Sequence, residues 1–250
     1  MTPQAFVERL TSSKSDQLFD HGLPVSDFQF DEQVTQVFPN MIGRSVPGYW
    51  QIVDGIGIIS KHFVQPHSSV YDLGTSLGAV AWSIYQNTQH PVIAVDSSEP
   101  MIHQLTKNVL GFPTKIPINP ILGDITKIPL QQNISFCALN FTLQFIPIEK
   151  RFELLEKIFH SLDKNGALIL SEKLHFDEPE EEYRIRNWHH DWKEQQGYSR
   201  QEIEQKAKSI ATIMPTETLQ KHKDRLYGIG FQRITIWYQA FSFVSLVAEK

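Results

Sequence analysis

Val70-Tyr71-Asp72-Leu73-Gly74-Thr75-Ser76-Leu77-Gly78, then Ala79 to Tyr85, then Val92-Ile93-Ala94-Val95-Asp96, is the stretch on which the fold turns. Its opening residues read as a short buried strand, Gly74 to Gly78 as a tight turn, and Ala79 to Tyr85 as the start of a helix. A second apolar strand ends on Asp96, 24 residues after Asp72. Glycines at such a turn take positive φ and let the backbone approach a ligand closely. The helix start behind them presents unpaired N–H groups. An acid at the end of the second strand can accept hydrogen bonds from both hydroxyls of a ribose, the logic of nucleotide-binding βαβ folds. The absence of a full G-x-G-x-x-G pattern favours a nucleoside without a pyrophosphate.

Working outward, Ile121-Leu122-Gly123-Asp124 reads as a third strand end, Phe136 to Asn140 as a fourth strand and Ala167 to Leu170 as a fifth, entered through an Asp163-Lys164-Asn165-Gly166 turn. Helices are expected from about Pro100 to Val109 and after Pro147, where Leu154, Leu155, Ile158 and Leu162 point inward. Strands this apolar suit a parallel sheet covered on both faces. Upstream, Phe30, Val34, Val37 and Phe38 recur at helical spacing, and Pro47 sits in the first turn of a helix carrying Ile52, Val53, Ile56, Ile59 and Phe63. Residues 1–26 read as a polar N-terminal arm, and 27–250 as a single α/β domain.

Residues 174–222 break the alternation. This charged, aromatic stretch carries Tyr183, Trp188 and Trp192 at helical intervals, and Ser199 with Glu202 forms a capping box. It reads as a helical excursion from the sheet domain. The closing runs Ile234–Tyr238 and Phe241–Val247 have no helix between them and must pair antiparallel. The expected fold is therefore α/β and Rossmann-like: a mostly parallel sheet closed by an antiparallel β-hairpin, with a helical insertion, as in S-adenosylmethionine-dependent methyltransferases.

The strand ends supply the candidate site. Asp96 faces the ribose, Asp124 is placed to reach an adenine amino group, and Asn140 faces the same crevice at the carboxyl edge of the sheet. Taken singly, each is as often a plain turn residue; together, four strand ends point to one ligand. Gly74-x-Ser76-x-Gly78 also fits the nucleophile elbow of serine hydrolases. That elbow follows several earlier strands, however, whereas everything before Val70 reads as helix or arm. His189-His190-Asp191 reads as a solvated helical face rather than a metal site, because adjacent histidines diverge on a helix. Cys137 reads as a small core residue. Asn140-Phe141-Thr142-Leu143 lacks the prolines of the amino-methyltransferase motif.

Composition narrows the partners. Twenty-three basic against 28 acidic residues give a net charge of −5, which argues against direct nucleic-acid binding by the surface as a whole. A single cysteine excludes an intramolecular disulfide and a cysteine zinc cluster. No signal peptide follows Met1-Thr2-Pro3-Gln4, and no run approaches the roughly 18 apolar residues of a membrane span. A cytoplasmic enzyme that uses no metal and no membrane is expected.

Longer segments add a family resemblance. Phe30-Asp31-Glu32, Val37 to Ile42, Arg44-Ser45-Val46-Pro47-Gly48-Tyr49, Tyr71 to Gly74, Leu139 to Phe145, Leu170 to Lys173, His189-His190-Asp191 and Trp237 to Phe243 together resemble the carboxy-S-adenosyl-L-methionine synthase family, from about residue 26 to the end. The resemblance implies a methyltransferase fold that converts S-adenosyl-L-methionine and prephenate into carboxy-S-adenosyl-L-methionine and phenylpyruvate. The sulfonium methyl would be deprotonated to an ylide that captures CO₂, and the product would feed wobble-uridine modification in tRNA. It also implies that Tyr49, Gly74, Thr75, Ser76, Asp96, Ser97, Asp124, Ile125 and Asn140 hold the S-adenosyl-L-methionine or its carboxylated form. Thr75 stands where the family has cysteine and Ser97 where it has asparagine; both can hydrogen-bond.

Ala207, in Gln205-Lys206-Ala207-Lys208-Ser209, replaces the arginine that grips the added carboxylate in the family. Alanine offers no such two-point grip. Lys208 becomes the first candidate for that carboxylate, with Lys206 and Arg44 behind it. No residue stands out as a general base. The exposed tryptophans of the excursion suit a homodimer surface. A conventional small-molecule methyltransferase and a non-catalytic S-adenosylmethionine-binding protein are the alternative readings.

Overall fold

The computed structural model describes residues 1–9, 29–113 and 115–250. Five strands run parallel: β1 (Ser69–Leu73), β2 (Val92–Asp96), β3 (Ile118–Leu122), β4 (Ile134–Asn140) and β5 (Leu162–Lys173). The last two, β6 (Arg233–Ala240) and β7 (Phe243–Glu249), form the expected hairpin, and β7 lies antiparallel to both β5 and β6. The sheet order is β3-β2-β1-β4-β5-β7-β6. The chain changes direction of winding at β1, with β2 on one side and β4 on the other. That switch point opens a crevice at the strands' carboxyl ends, where open α/β sheets bind ligands.

Alternation along the strands explains why both faces are covered. Val70, Ala94, Phe136, Ala138 and Ile169 are buried on one face, beneath α3 (Tyr49–Ser60), α4 (Ala79–Thr88) and α5 (Glu99–Leu110). Leu73, Val95, Leu139, Leu168 and Leu170 are buried on the other, with α6 (Ile148–Ser161) and α9 (Leu219–Ile229) supplying Leu154, Leu155, Ile158 and Leu226. Each such valine, leucine, isoleucine or phenylalanine contributes about 1.5–3 kcal/mol when withdrawn from water.

Two local readings change. The Asp163–Gly166 turn is not a prelude to β5 but lies within it. Pairing runs Ile134↔Leu162 and resumes at Phe136↔Ala167, so the intervening residues bulge, with Asn165 at φ 68°. The N-terminal arm of residues 1–26 begins with a docked helix, α1 (Pro3–Glu8), whose Phe6 is fully buried and stacked on Trp82 with centroids 4.5 Å apart. Most of the rest of that arm lies outside the described residues, and the helix expected around Phe30 to Phe38 follows as α2 (Glu32–Ser45). The excursion at 174–222 holds α7 (Pro179–Gln195), α8 (Arg200–Ile210) and the start of α9. Ser199 and Glu202 form the reciprocal capping box expected at the start of α8.

Candidate functional site

The turn after β1 is shaped by three backbone bonds. The N–H groups of Gly74 and Thr75 both donate to the Val95 carbonyl, at 2.8 and 2.9 Å, and Gly78 N–H closes onto Thr75 O. Gly74 sits at φ 79°, and a Cβ there would stand 2.3 Å from the Thr142 side chain, so only glycine lets the β1 and β4 ends meet this closely. Asp72, buried beneath the turn, accepts from the Thr75 hydroxyl at 2.5 Å and from Ala81 N–H at 3.0 Å, tying β1 to the first turn of α4. Burial pushes the Asp72 carboxyl up to about 7 against the pull of those two bonds.

Asp96 closes β2 with both oxygens engaged: Oδ2 accepts from Ser76 N–H at 2.8 Å and Oδ1 from Ser98 N–H at 2.9 Å. Burial raises its carboxyl above the usual range. Asp124, expected at a strand end, stands two residues past β3. Its Oδ1 accepts from the Thr126 hydroxyl and N–H, and Oδ2 pairs with Lys127 at 3.1 Å. The Thr126 hydroxyl bond holds this carboxyl low. Asn140 closes β4 with its side-chain oxygen buried and unpartnered.

Tyr49 arrives from a different element. The helix expected to open at Pro47 starts two residues later, because Gly48 takes φ 69° as its N-cap. The Tyr238 hydroxyl donates to Pro47 O at 2.9 Å and occupies the space a Gly48 side chain would need. Tyr49, the first residue of α3, is nearly buried beside Trp50 and Phe141.

Tyr49 and the residues at the strand ends border one cavity of about 1200 Å³. Tyr49, Gly74, Thr75, Ser76, Asp96, Ser97, Asp124, Ile125 and Asn140 line it, and so do Lys206, Ala207 and Lys208. Arg44 is not part of the lining; it stacks over the Tyr198 ring at 4.0 Å and donates to Gln196 O. Lys206 donates to Ser45 Oγ at 2.8 Å, whereas Lys208 is exposed at the rim. The orphan oxygen of Asn140 and the glycine-shaped cradle beneath it fit an adenosine-type ligand.

The far end of the cavity, opposite the three aspartates, was not foreseen. Lys173 from β5, Arg186, His189, His190 and Lys193 from α7, and Arg200 from α8 all face it. The solvated-face reading of His189 is overturned: His189 is 5% exposed, its Nε2 bonds Ser45 O at 3.0 Å, and burial pushes it down to about 2. Glu182, Arg186, His189, His190 and Lys193 recur at helical spacing, the signal that could have placed them on one face. Among the described residues no group of three or more His, Cys, Asp or Glu side chains could hold a metal ion. No helix there is long and apolar enough to cross a membrane. Cys137 is buried in β4.

An α/β sheet in this order, with a crevice at its switch point, defines a methyltransferase-type fold. The methyltransferase-domain family model matches residues 70–166. Among solved structures, human N-acetylserotonin methyltransferase in complex with S-adenosylmethionine shares the fold, with a TM-score of 0.56 and 16% identity over 99% of this chain and 65% of that one. Carboxy-S-adenosyl-L-methionine synthase of Pasteurella multocida is 42% identical over 229 residues, 90% of this chain and 95% of that one. The Escherichia coli K12 synthase of the same name is 43% identical over 242 residues, 95% and 98% of the two chains. The chain belongs to the carboxy-S-adenosyl-L-methionine synthase family.

Proposed function

We propose that this protein converts S-adenosyl-L-methionine and prephenate into carboxy-S-adenosyl-L-methionine and phenylpyruvate. The observation that carries this reading is identity of 42–43% with synthases over at least 90% of the chain. The reaction balances without an outside reagent: prephenate loses its ring carboxylate as CO₂ and its hydroxyl, the CO₂ becomes the new carboxylate, and the hydroxyl leaves as water with the methyl proton. The sulfonium supplies the acidified methyl carbon to which the CO₂ attaches.

The chain's share is binding and orientation. Asp96 accepts from the ribose hydroxyls with its remaining lone pairs, Asp124 from the adenine amino group, and Asn140 supplies its unpartnered oxygen. Gly74, Thr75, Ser76, Ser97 and Ile125 line the nucleoside, and Tyr49 covers the reacting end. Lys208, in place of the arginine lost at Ala207, holds the added carboxylate. The protein works in the cytoplasm as a homodimer, and its product feeds carboxymethoxylation of wobble uridine in tRNA.

Incubation with both substrates followed by mass spectrometry of the nucleoside tests the reading. A product heavier than S-adenosylmethionine by one CO₂, together with phenylpyruvate, is expected. Demethylated nucleoside and a methylated acceptor would instead mark a conventional methyltransferase; bound but unchanged S-adenosylmethionine would mark a binding protein.

A further inference from the structure

We propose that the Lys193 ammonium is the seat for a carboxylate of a dicarboxylate co-substrate, with Lys173 as its second cation, at the end of the cavity opposite the nucleoside. This rests on the synthase reading of the same cavity and adds the residues that would select its second substrate.

The argument starts from burial without compensation. Lys193 is 9% exposed, yet among the described residues its ammonium has no ion pair and no hydrogen bond. The groups that act on it most are Lys173, Lys206 and Arg200, all cations. Its neighbours are already occupied. Arg200 is paired with Asp191 and Glu194, each at 3.3 Å. Lys206 donates to Ser45, and His189 is engaged with Ser45 O. Of the lining acids at this end, Glu182 acts on Lys173 and takes the Phe176 N–H at 3.1 Å, while Glu204 is exposed.

A mostly buried ammonium that lines the cavity and is set among cations is unfavourable until an anion arrives. Burial and those cations hold Lys193 at about 7, far below an ordinary lysine. A bound carboxylate reverses both effects by giving the charge a partner and screening its neighbours. Polarity along the cavity fixes which ligand goes where. Asp72, Asp96 and Asp124 at one end repel a dianion, and Lys173, Arg186 and Lys193 at the other attract it. Lys193 sits deep in the wall, whereas Lys208 is at the exposed rim, so the two lysines address different carboxylates.

The test uses the full chain with Lys193→Met, which keeps the apolar stem, and Lys193→Arg, which keeps the charge. Lys193→Met is expected to melt higher than the native protein in the absence of ligand, because an uncompensated buried cation is gone. Its S-adenosylmethionine-induced thermal shift should be unchanged. Its KM for prephenate should rise by about 10- to 100-fold, the value of one charged hydrogen bond, and the shift that prephenate adds over S-adenosylmethionine should disappear. Lys193→Arg should restore part of both. An unchanged KM and unchanged prephenate shift in Lys193→Met would overturn the seat even if the native chain is a synthase. A native chain that makes no carboxylated product but shows a Lys193-dependent prephenate shift would overturn the synthase reading and leave the seat standing. No prephenate shift in the native chain overturns the seat.

Discussion

Tyr49 shows how much a single hydroxyl can be asked to do. Its ring is packed among Trp50 and Phe141, and burial, with the nearby Asp72, pushes the phenol above its ordinary range. Among the described residues the hydroxyl bonds to nothing, yet Tyr49 lines the cavity. Tyr49→Phe should therefore leave the unfolding free energy within about 1 kcal/mol of native, since no bond is lost, while turnover falls roughly tenfold or more. A variant that melts early but turns over normally would make Tyr49 a core residue. Asp96 is the opposite case, because it serves fold and ligand at once. Asp96→Ala removes two charge-assisted bonds, to Ser76 N–H and Ser98 N–H, each of about 1.5–3 kcal/mol. The ligand-free protein should melt lower, and the stabilisation conferred by S-adenosylmethionine should vanish. Retention of the full ligand-induced shift would remove Asp96 from the nucleoside site.

Elements carry the site because some are tied to each other by buried charge. Arg151 of α6 is fully buried: Nη1 donates to Glu217 Oε2 at 2.6 Å, Nη2 to Pro215 O at 2.7 Å, and Nε to Ile146 O at 2.9 Å. Met214, Pro215 and Thr216, in the connection from α8 to α9, wall the cavity, so α6 fixes that wall through one guanidinium. Arg151→Ala should cost about 3–5 kcal/mol in unfolding free energy by chemical denaturation, because it leaves the buried carbonyls of Ile146, Gln144 and Pro215 unpaired and Glu217 with Arg225 as its one remaining cation. A loss below about 1 kcal/mol would show that the wall stands without it. The sequence made most of this scale legible. The β1 turn, the ending of β2 on Asp96, the ends of β4 and the closing hairpin follow from period and turn chemistry, and with them the half of the cavity lined by Asp72, Asp96 and Asn140. The other half was hidden. A helix bearing Glu182, Arg186, His190 and Lys193 is, by local pattern, a solvated helix, and only its placement over the crevice turns that face inward. The β5 bulge and the late start of α3 were hidden for a similar reason: both depend on distant contacts, Ile134 and Tyr238, that no local spacing reveals.

Across the whole molecule, a formal net charge of −5 says little about the ionisation that matters, which is internal. Glu172 of β5 is buried behind the cavity, with Oε1 accepting from Gln144 N–H at 3.2 Å and Oε2 unpartnered. Burial raises its carboxyl from 4.5 to about 8, with Arg151 opposing. The consequence has a definite sign. Below 4.5 the group is protonated in both folded and unfolded chains and contributes no slope. As pH rises through 4.5 and towards 8, the unfolded chain ionises while the folded chain holds its proton, so the stability this group contributes is progressively lost. Asp72 acts in the same direction up to about 7. His222 opposes them on the acid side: burial lowers it to about 4, so stability falls as pH drops below 6.5. A comparison isolates the carboxyl. Glu172→Gln keeps the acceptor for Gln144 and removes the ionisable group, leaving Asp72 and His222 in place. Unfolding free energies of native and variant should be close near pH 4.5 and diverge in the variant's favour by pH 8, by on the order of a few kcal/mol at the alkaline end. Parallel curves from pH 4.5 to 8 would mean that Glu172 ionises in the folded protein as readily as in the unfolded one, with Arg151 and Arg225 outweighing its burial.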